Sequence, residues 1–182
     1  MRLTIVIIFL ALSLQSLAQE ANRTDYRVDI VEFIRSYAKQ ESKDIVIDPR
    51  VKGHVRLFSE QTPDEITKDE FHMVLLTSGF GSYEEGNLIV VAQEVLTKQR
   101  NVPEYNGKSR GKLSAHQVVY TVIKVKRRDA KALVPLLKPL VEQWGYLNVD
   151  EASNSLIAVT TLGNAERLHR LVKEFDTKPV NR

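Results

Sequence analysis

Apolar residues fall along this chain in short blocks whose period switches between helical and extended. Ile30, Phe33, Ile34, Tyr37 and Ala38 stand at i, i+3, i+4, i+7 and i+8, the stripe of one helix, and Asp29 with Glu32 gives it a capping-box start. Ile45-Val46-Ile47, bounded by Asp44 and Asp48-Pro49, predicts a short buried strand; the alternation around Val55 and Leu57 predicts a half-buried one. Thr67 and Glu70 open a second helix that turns Phe71, Val74 and Leu75 inward, with Gly79 at its exit. Phe80–Tyr83 and Leu88–Ala92 then bracket Glu84-Glu85-Gly86-Asn87, a hairpin with a loop of about four residues.

The pattern lapses over residues 96–117, where Pro103, Gly107 and Gly111 are mixed with Lys98, Arg100, Lys108, Arg110 and Lys112, predicting a basic flexible linker. Order returns at Val118–Val125, the strongest strand signal in the chain. Asp129 caps a predicted helix through Trp144 with Leu133, Leu136, Leu137, Leu140 and Val141 on its apolar face, and Pro135 and Pro139 break it into a kinked or two-piece element. Tyr146–Val149 and Leu156–Thr160 pair across the turn that ends at Asn154, and Asn164 opens a last helix carrying Leu168, Leu171, Val172 and Phe175. The expected fold class is α+β in two small domains: residues 26–95, a helix and strand sandwich with a hairpin, and residues 118–176, ordered β-α-β-β-α, before a tail at 177–182.

Composition changes this picture at the N-terminus. Arg2, the apolar run Leu3–Leu14 and the small-x-small site Ser16-Leu17-Ala18 predict an export signal over residues 1–18, too short for a membrane span of about 20 residues. Its removal takes away Arg2 and no acid, so the formal charge falls by one from +3, a balance that does not point to a nucleic-acid protein. Cysteine is absent, which excludes disulfides, thiol chemistry and cysteine metal sites. His54, His72, His116 and His169 are scattered singly without metal-ligand spacing, and no nucleophile motif occurs, so the expectation is no enzyme, no metal and no cofactor. Gly107-Lys108-Ser109 echoes a phosphate-binding loop, but Val102 stands where its upstream glycine belongs.

The first unit, through Asp29-Ile30-Val31-Glu32-Phe33-Ile34 and Ile45-Val46-Ile47-Asp48-Pro49-Arg50-Val51-Lys52-Gly53, resembles the most N-terminal periplasmic module of secretins, the outer-membrane gates of secretion and pilus systems. The second, through Asp129-Ala-Lys-Ala-Leu-Val-Pro135-Leu-Leu and Ser153-Asn154-Ser155-Leu156-Ile157, resembles the KH-like repeat module that follows it in that family. The resemblance implies stacking into rings and contact with inner-membrane partners. No pore barrel is legible after Asp176, so the expectation is a periplasmic binding or assembly part without channel activity of its own.

The expected partners are a secretin or an inner-membrane secretion or pilus assembly protein, with self-association as a further mode. A sensor domain binding an inner-membrane regulator is the alternative reading, and a DNA- or glycan-binding module a second one. Against nucleic acid stands the lack of the Gly-X-X-Gly loop that KH domains use, since Lys138-Pro139-Leu140-Val141 offers nothing equivalent. The candidate docking element is His54-Val55-Arg56-Leu57-Phe58, read as a sheet edge open to strand addition, with His54 and Arg56 on a wet face and Val55 and Leu57 anchoring it.

Overall fold

The computed structural model describes residues 24–59 and 66–177; the expected export signal and all of the tail after Thr177 lie outside them. The first unit contains β1 (Thr24–Asp29), α1 (Ile30–Gln40), β2 (Asp44–Ile47), β3 (His54–Ser59), α2 (Lys68–Thr77), β4 (Phe80–Glu85), β5 (Leu88–Gln93) and the short turn of helix α3 (Glu94–Thr97). Its strands form two sheets, β1-β3 and β2-β5-β4. Asp29 caps α1 by accepting from the Val31 amide, and Thr67 with Glu70 forms a complete capping box on α2. The two helices meet through aromatic rings: Tyr37 and Phe71 stack with centroids 3.9 Å apart, and Phe33 lies beside Phe71. Ile30, Ile34, Leu75, Ile89 and Val91 close this core.

Three sequence expectations change here. A strand β1 precedes α1 and pairs antiparallel with β3, Val28 opposite Val55; its alternation is too short to stand out beside the helix signal. Instead of being buried, β2 is an edge strand parallel to β5, with Val46 48% exposed. The β4–β5 hairpin is tighter than expected: Glu85 faces Leu88 across the two residues Gly86 and Asn87. The positive φ of Gly86 (61°) suits the first position of a type II′ turn.

The second unit contains β6 (Val118–Lys124), a broken helical segment, β7 (Tyr146–Asp150), β8 (Ser155–Thr161) and α5 (Leu162–Phe175). The sheet is antiparallel in the order β6-β8-β7. The expected helix over 129–144 resolves into a 3₁₀ turn (Ala130–Leu133), one α-turn α4 (Val134–Leu137) and a second 3₁₀ turn (Lys138–Leu140), after which Val141 is extended. Pro135 and Pro139 each sit at the start of a new turn, where the missing amide costs nothing, so three pieces replace the one or two expected. Thr161 rather than Asn164 caps α5, its hydroxyl accepting from the Asn164 amide. Leu133, Leu137, Leu156, Ala158 and Leu168 form the core between the helices and one face of the sheet.

The segment 96–117 is not the free tether that its composition predicts. The Tyr120 amide donates to the Pro103 carbonyl (3.0 Å) and the Tyr105 amide to the Tyr120 carbonyl (2.8 Å), so this stretch docks on the outer edge of β6. Tyr105 is buried with Val119, Leu162 and Ala165, and Leu113 packs on the same cluster. Apolar residues in this stretch are too sparse to show a period, yet Val102, Tyr105 and Leu113 each find a socket.

Candidate functional site

The candidate edge His54–Phe58 lies in β3, the partner of β1 in a two-stranded sheet. The Ile30 amide donates to the Gly53 carbonyl (3.0 Å), which fixes the phase of the ladder. In an antiparallel pair bonded and non-bonded positions alternate, so Val55 and Leu57 aim their backbone groups at β1, whereas His54, Arg56 and Phe58 aim theirs away. No other described strand pairs with that side of β3. His54 and Arg56 are exposed, and Val55 packs against the core of the unit. The edge therefore offers unpaired main-chain groups bordered by two basic or titratable side chains.

A second feature is the junction between the units. Asp69, near the start of α2, accepts from the Ala115 amide (3.0 Å), and its contact with the Ser114 hydroxyl holds its carboxyl below the usual carboxylate range. Lys98 donates to the Trp144 carbonyl (2.8 Å), and Arg110 forms a two-pronged pair with Glu166, the shorter contact 2.8 Å. Beside Trp144 lies a crevice of about 390 Å³ lined in part by Met73, Leu76, Glu94, Glu142 and Trp144 itself. Burial and the nearby Glu142 raise the Glu94 carboxyl above its ordinary value.

Two polar clamps in the second unit, missed in the sequence, set its loops. Asn154 has φ +50°; its side-chain oxygen accepts from the Ala130 amide (2.8 Å) and its amide donates to the Val125 and Arg128 carbonyls (2.9 Å each). Asp176 accepts from the backbone amides of Lys126, Arg127 and Arg128, which together outweigh its partial burial and depress its carboxyl. Two of the histidines, His72 and His169, are likewise committed to packing. His72 is buried, bonded to the Ser82 hydroxyl (3.2 Å), and pushed down to about 3 by burial. The Thr121 hydroxyl donates to the Tyr105 carbonyl, so it accepts from Nε2–H of His169 (2.8 Å). Among the described residues no group of three or more His, Asp and Glu side chains could hold a metal ion, and no helix is long and apolar enough to cross a membrane.

Two α+β units stand in this order, the second built β-α-β-β-α around an antiparallel sheet, a fold similar to that of secretin N-terminal domains. Residues 26–91 match the family model described as GspD-like, N0 domain, and the chain is homologous to the N-terminal domains of type II secretion secretins. Secretin XcpQ of Pseudomonas aeruginosa is 29% identical over 154 residues, which cover 82% of this chain and 22% of that protein. Secretin PulD of Klebsiella pneumoniae is 28% identical over 176 residues, 94% of this chain and 26% of PulD. The chain thus spans about a quarter of the length of these relatives. A solved Klebsiella pneumoniae type II secretion outer membrane complex of PulD, PulS and the PulC HR domain superposes with TM-score 0.70 at 24% identity, over 84% of this chain and 26% of that one. Secretin N-terminal domains are structural and interaction modules, not enzymes.

Proposed function

We propose that this chain is a periplasmic interaction and assembly component of a secretin-related secretion machine, and that its first unit docks an inner-membrane partner along the β3 edge. The observation that supports it best is the pairing of a GspD-like N0 match over residues 26–91 with the likeness of both units to PulD. The Klebsiella complex contains PulD, PulS and a PulC HR domain, so an HR-type domain is the partner to try first. Strand addition to His54, Arg56 and Phe58 supplies main-chain bonds, and the exposed side chains of His54 and Arg56 select among partners. Self-association would use the uncovered face of the second sheet, where Tyr120 (37%), Val122 (48%), Tyr146 (45%) and Ile157 (37%) stay exposed in adjoining rows.

The alternation along β3 supplies the test. In Arg56→Pro the lost amide points away from β1; in Val55→Pro it belongs to the β1–β3 ladder. The expected result in calorimetry with a PulC-type HR domain is a folded Arg56→Pro chain that binds at least tenfold more weakly, while Val55→Pro also loses stability. A folded Arg56→Pro chain with undiminished binding would overturn the docking surface.

A further inference from the structure

Beyond β3, the second unit holds a groove that the docking reading does not use. It measures about 1050 Å³ and runs between the outer edge of β6 and α5, closed at one end by Tyr105-Asn106-Gly107-Lys108. That volume is at or above the range of about 300–1,000 Å³ typical of small-molecule pockets. The groove is strongly cationic: Lys108, Lys124, Lys126, Arg127, Arg170 and Lys173 line it, all exposed, and none forms an ion pair among the described residues. Its two carboxylates are already engaged, Glu166 by the Arg110 guanidinium and Asp176 by three backbone amides.

The floor of the groove is unfinished sheet. Tyr120 directs its amide and carbonyl outward, to Pro103 and Tyr105. Because backbone groups alternate along a strand, Val122 and Lys124 direct theirs the same way, and no described strand meets them there. The chain that covers Tyr120 leaves the edge at Gly107, whose φ is +78° and whose missing Cβ would lie 2.5 Å from the His169 ring. Glycine at 107 lets the segment peel off over His169 and leaves roughly 10 Å of edge open, at about 3.3 Å per residue.

We infer that this groove is a second docking site, which takes an extended acidic segment of a partner polypeptide as an added strand on β6. The cations set the charge of the occupant. The exposed carbonyls of Val122 and Lys124 set its class, because they need N–H donors, which a peptide backbone provides and a phosphodiester backbone lacks. The inference is independent of what β3 binds.

The test uses the full chain and a fluorescein-labelled octapeptide of alternating Glu and Val, read by anisotropy and by amide NMR. Saturable binding is expected, with the Val122 and Lys124 amide resonances shifting. It should weaken at least tenfold in Lys124→Glu/Arg127→Glu and at least tenfold when alternate peptide amides are N-methylated. Should the Lys124/Arg127 pair of substitutions disturb folding, Arg170→Glu/Lys173→Glu on α5 gives the same charge change from the other wall. Absence of saturable binding overturns the site. Undiminished binding of the N-methylated peptide, or equal binding of an oligothymidylate of the same charge, overturns strand addition and leaves only a charged surface.

Discussion

Replacing Asn154 tests whether one side chain holds the second unit in shape. Its three side-chain hydrogen bonds, 2.8 to 2.9 Å long, join the β7–β8 turn to the loop after β6 and to the first helical turn. At about 1 kcal/mol net per bond, their loss costs about 3 kcal/mol. Asn154→Gly removes the bonds but tolerates φ +50°, so it should lose about 2–3 kcal/mol. Asn154→Ala adds the left-handed backbone penalty, about 1 kcal/mol more. Asn154→Asp keeps the acceptor for Ala130 but sets a carboxylate against two carbonyls, and should be at least as damaging as glycine. Trp144, the one tryptophan in the chain, lies in this unit, so urea unfolding followed by its fluorescence reads the right transition. With a slope of about 1 kcal/mol per M for so small a unit, the midpoint should fall by roughly 2–3 M. Midpoints within about 0.5 M of the parent for both glycine and alanine would refute the clamp.

Four other outcomes follow from the same structure. His72 sits neutral in the first core with its pKa pushed down to about 3, below an ordinary value of 6.5. The unfolded chain therefore binds a proton that the folded chain refuses, so stability should fall as pH drops from 6.5 towards 3, and His72→Leu should flatten that slope in denaturation curves taken across the range. Asp176, whose carboxyl is depressed, works with the opposite charge but the same direction: its contribution is present above the ordinary carboxylate range and is lost as pH falls through the folded value, a loss that Asp176→Asn should remove from the acid profile. Gly81→Ala places a Cβ 2.7 Å from the Thr97 hydroxyl oxygen in a buried site and should cost about 1–3 kcal/mol in thermal unfolding. Asp69→Ala with Lys98→Ala cuts two ties between the units, and small-angle scattering should show a larger radius of gyration than the parent; identical profiles would mean that these ties do not set the arrangement.

Most helices and strands were legible because their signals are local. The stripe Ile30 to Ala38, the capping box at Thr67 and the β-branched run at Val118 each state period, start and type within one element. What failed was non-local. Whether β2 lies at an edge depends on β5, more than forty residues later, and a short β-branched run looks the same at either place. The linker misled because composition reports average polarity, whereas Tyr105 docks through a single socket formed by Val119 and α5. The prolines announced a break in the 129–144 helix, but the number of pieces was settled by each proline taking the first turn of its own segment. Of the site, the run His54–Phe58 was readable as alternation; the phase of its hydrogen bonds needed β1 and the Ile30–Gly53 contact.

An unpaired sheet edge is an aggregation hazard, and proteins commonly blunt such edges with charge, shortness or a covering segment. Two of the open edges carry charged or titratable side chains: His54 and Arg56 on β3, and Lys124 at the end of β6 with Lys126 and Arg127 just after it. The second is also short, because residues 103–105 already occupy the stretch at Tyr120. Had burial been the only requirement, the docked segment could have continued along β6 and sealed it; Gly107 turns it away instead. The same cations that repel a second basic edge favour an acidic strand, so protection and selection come from one set of side chains. Raising ionic strength should therefore weaken the wanted contact and the safeguard together, the first seen as lost peptide binding and the second as increased self-association in sedimentation.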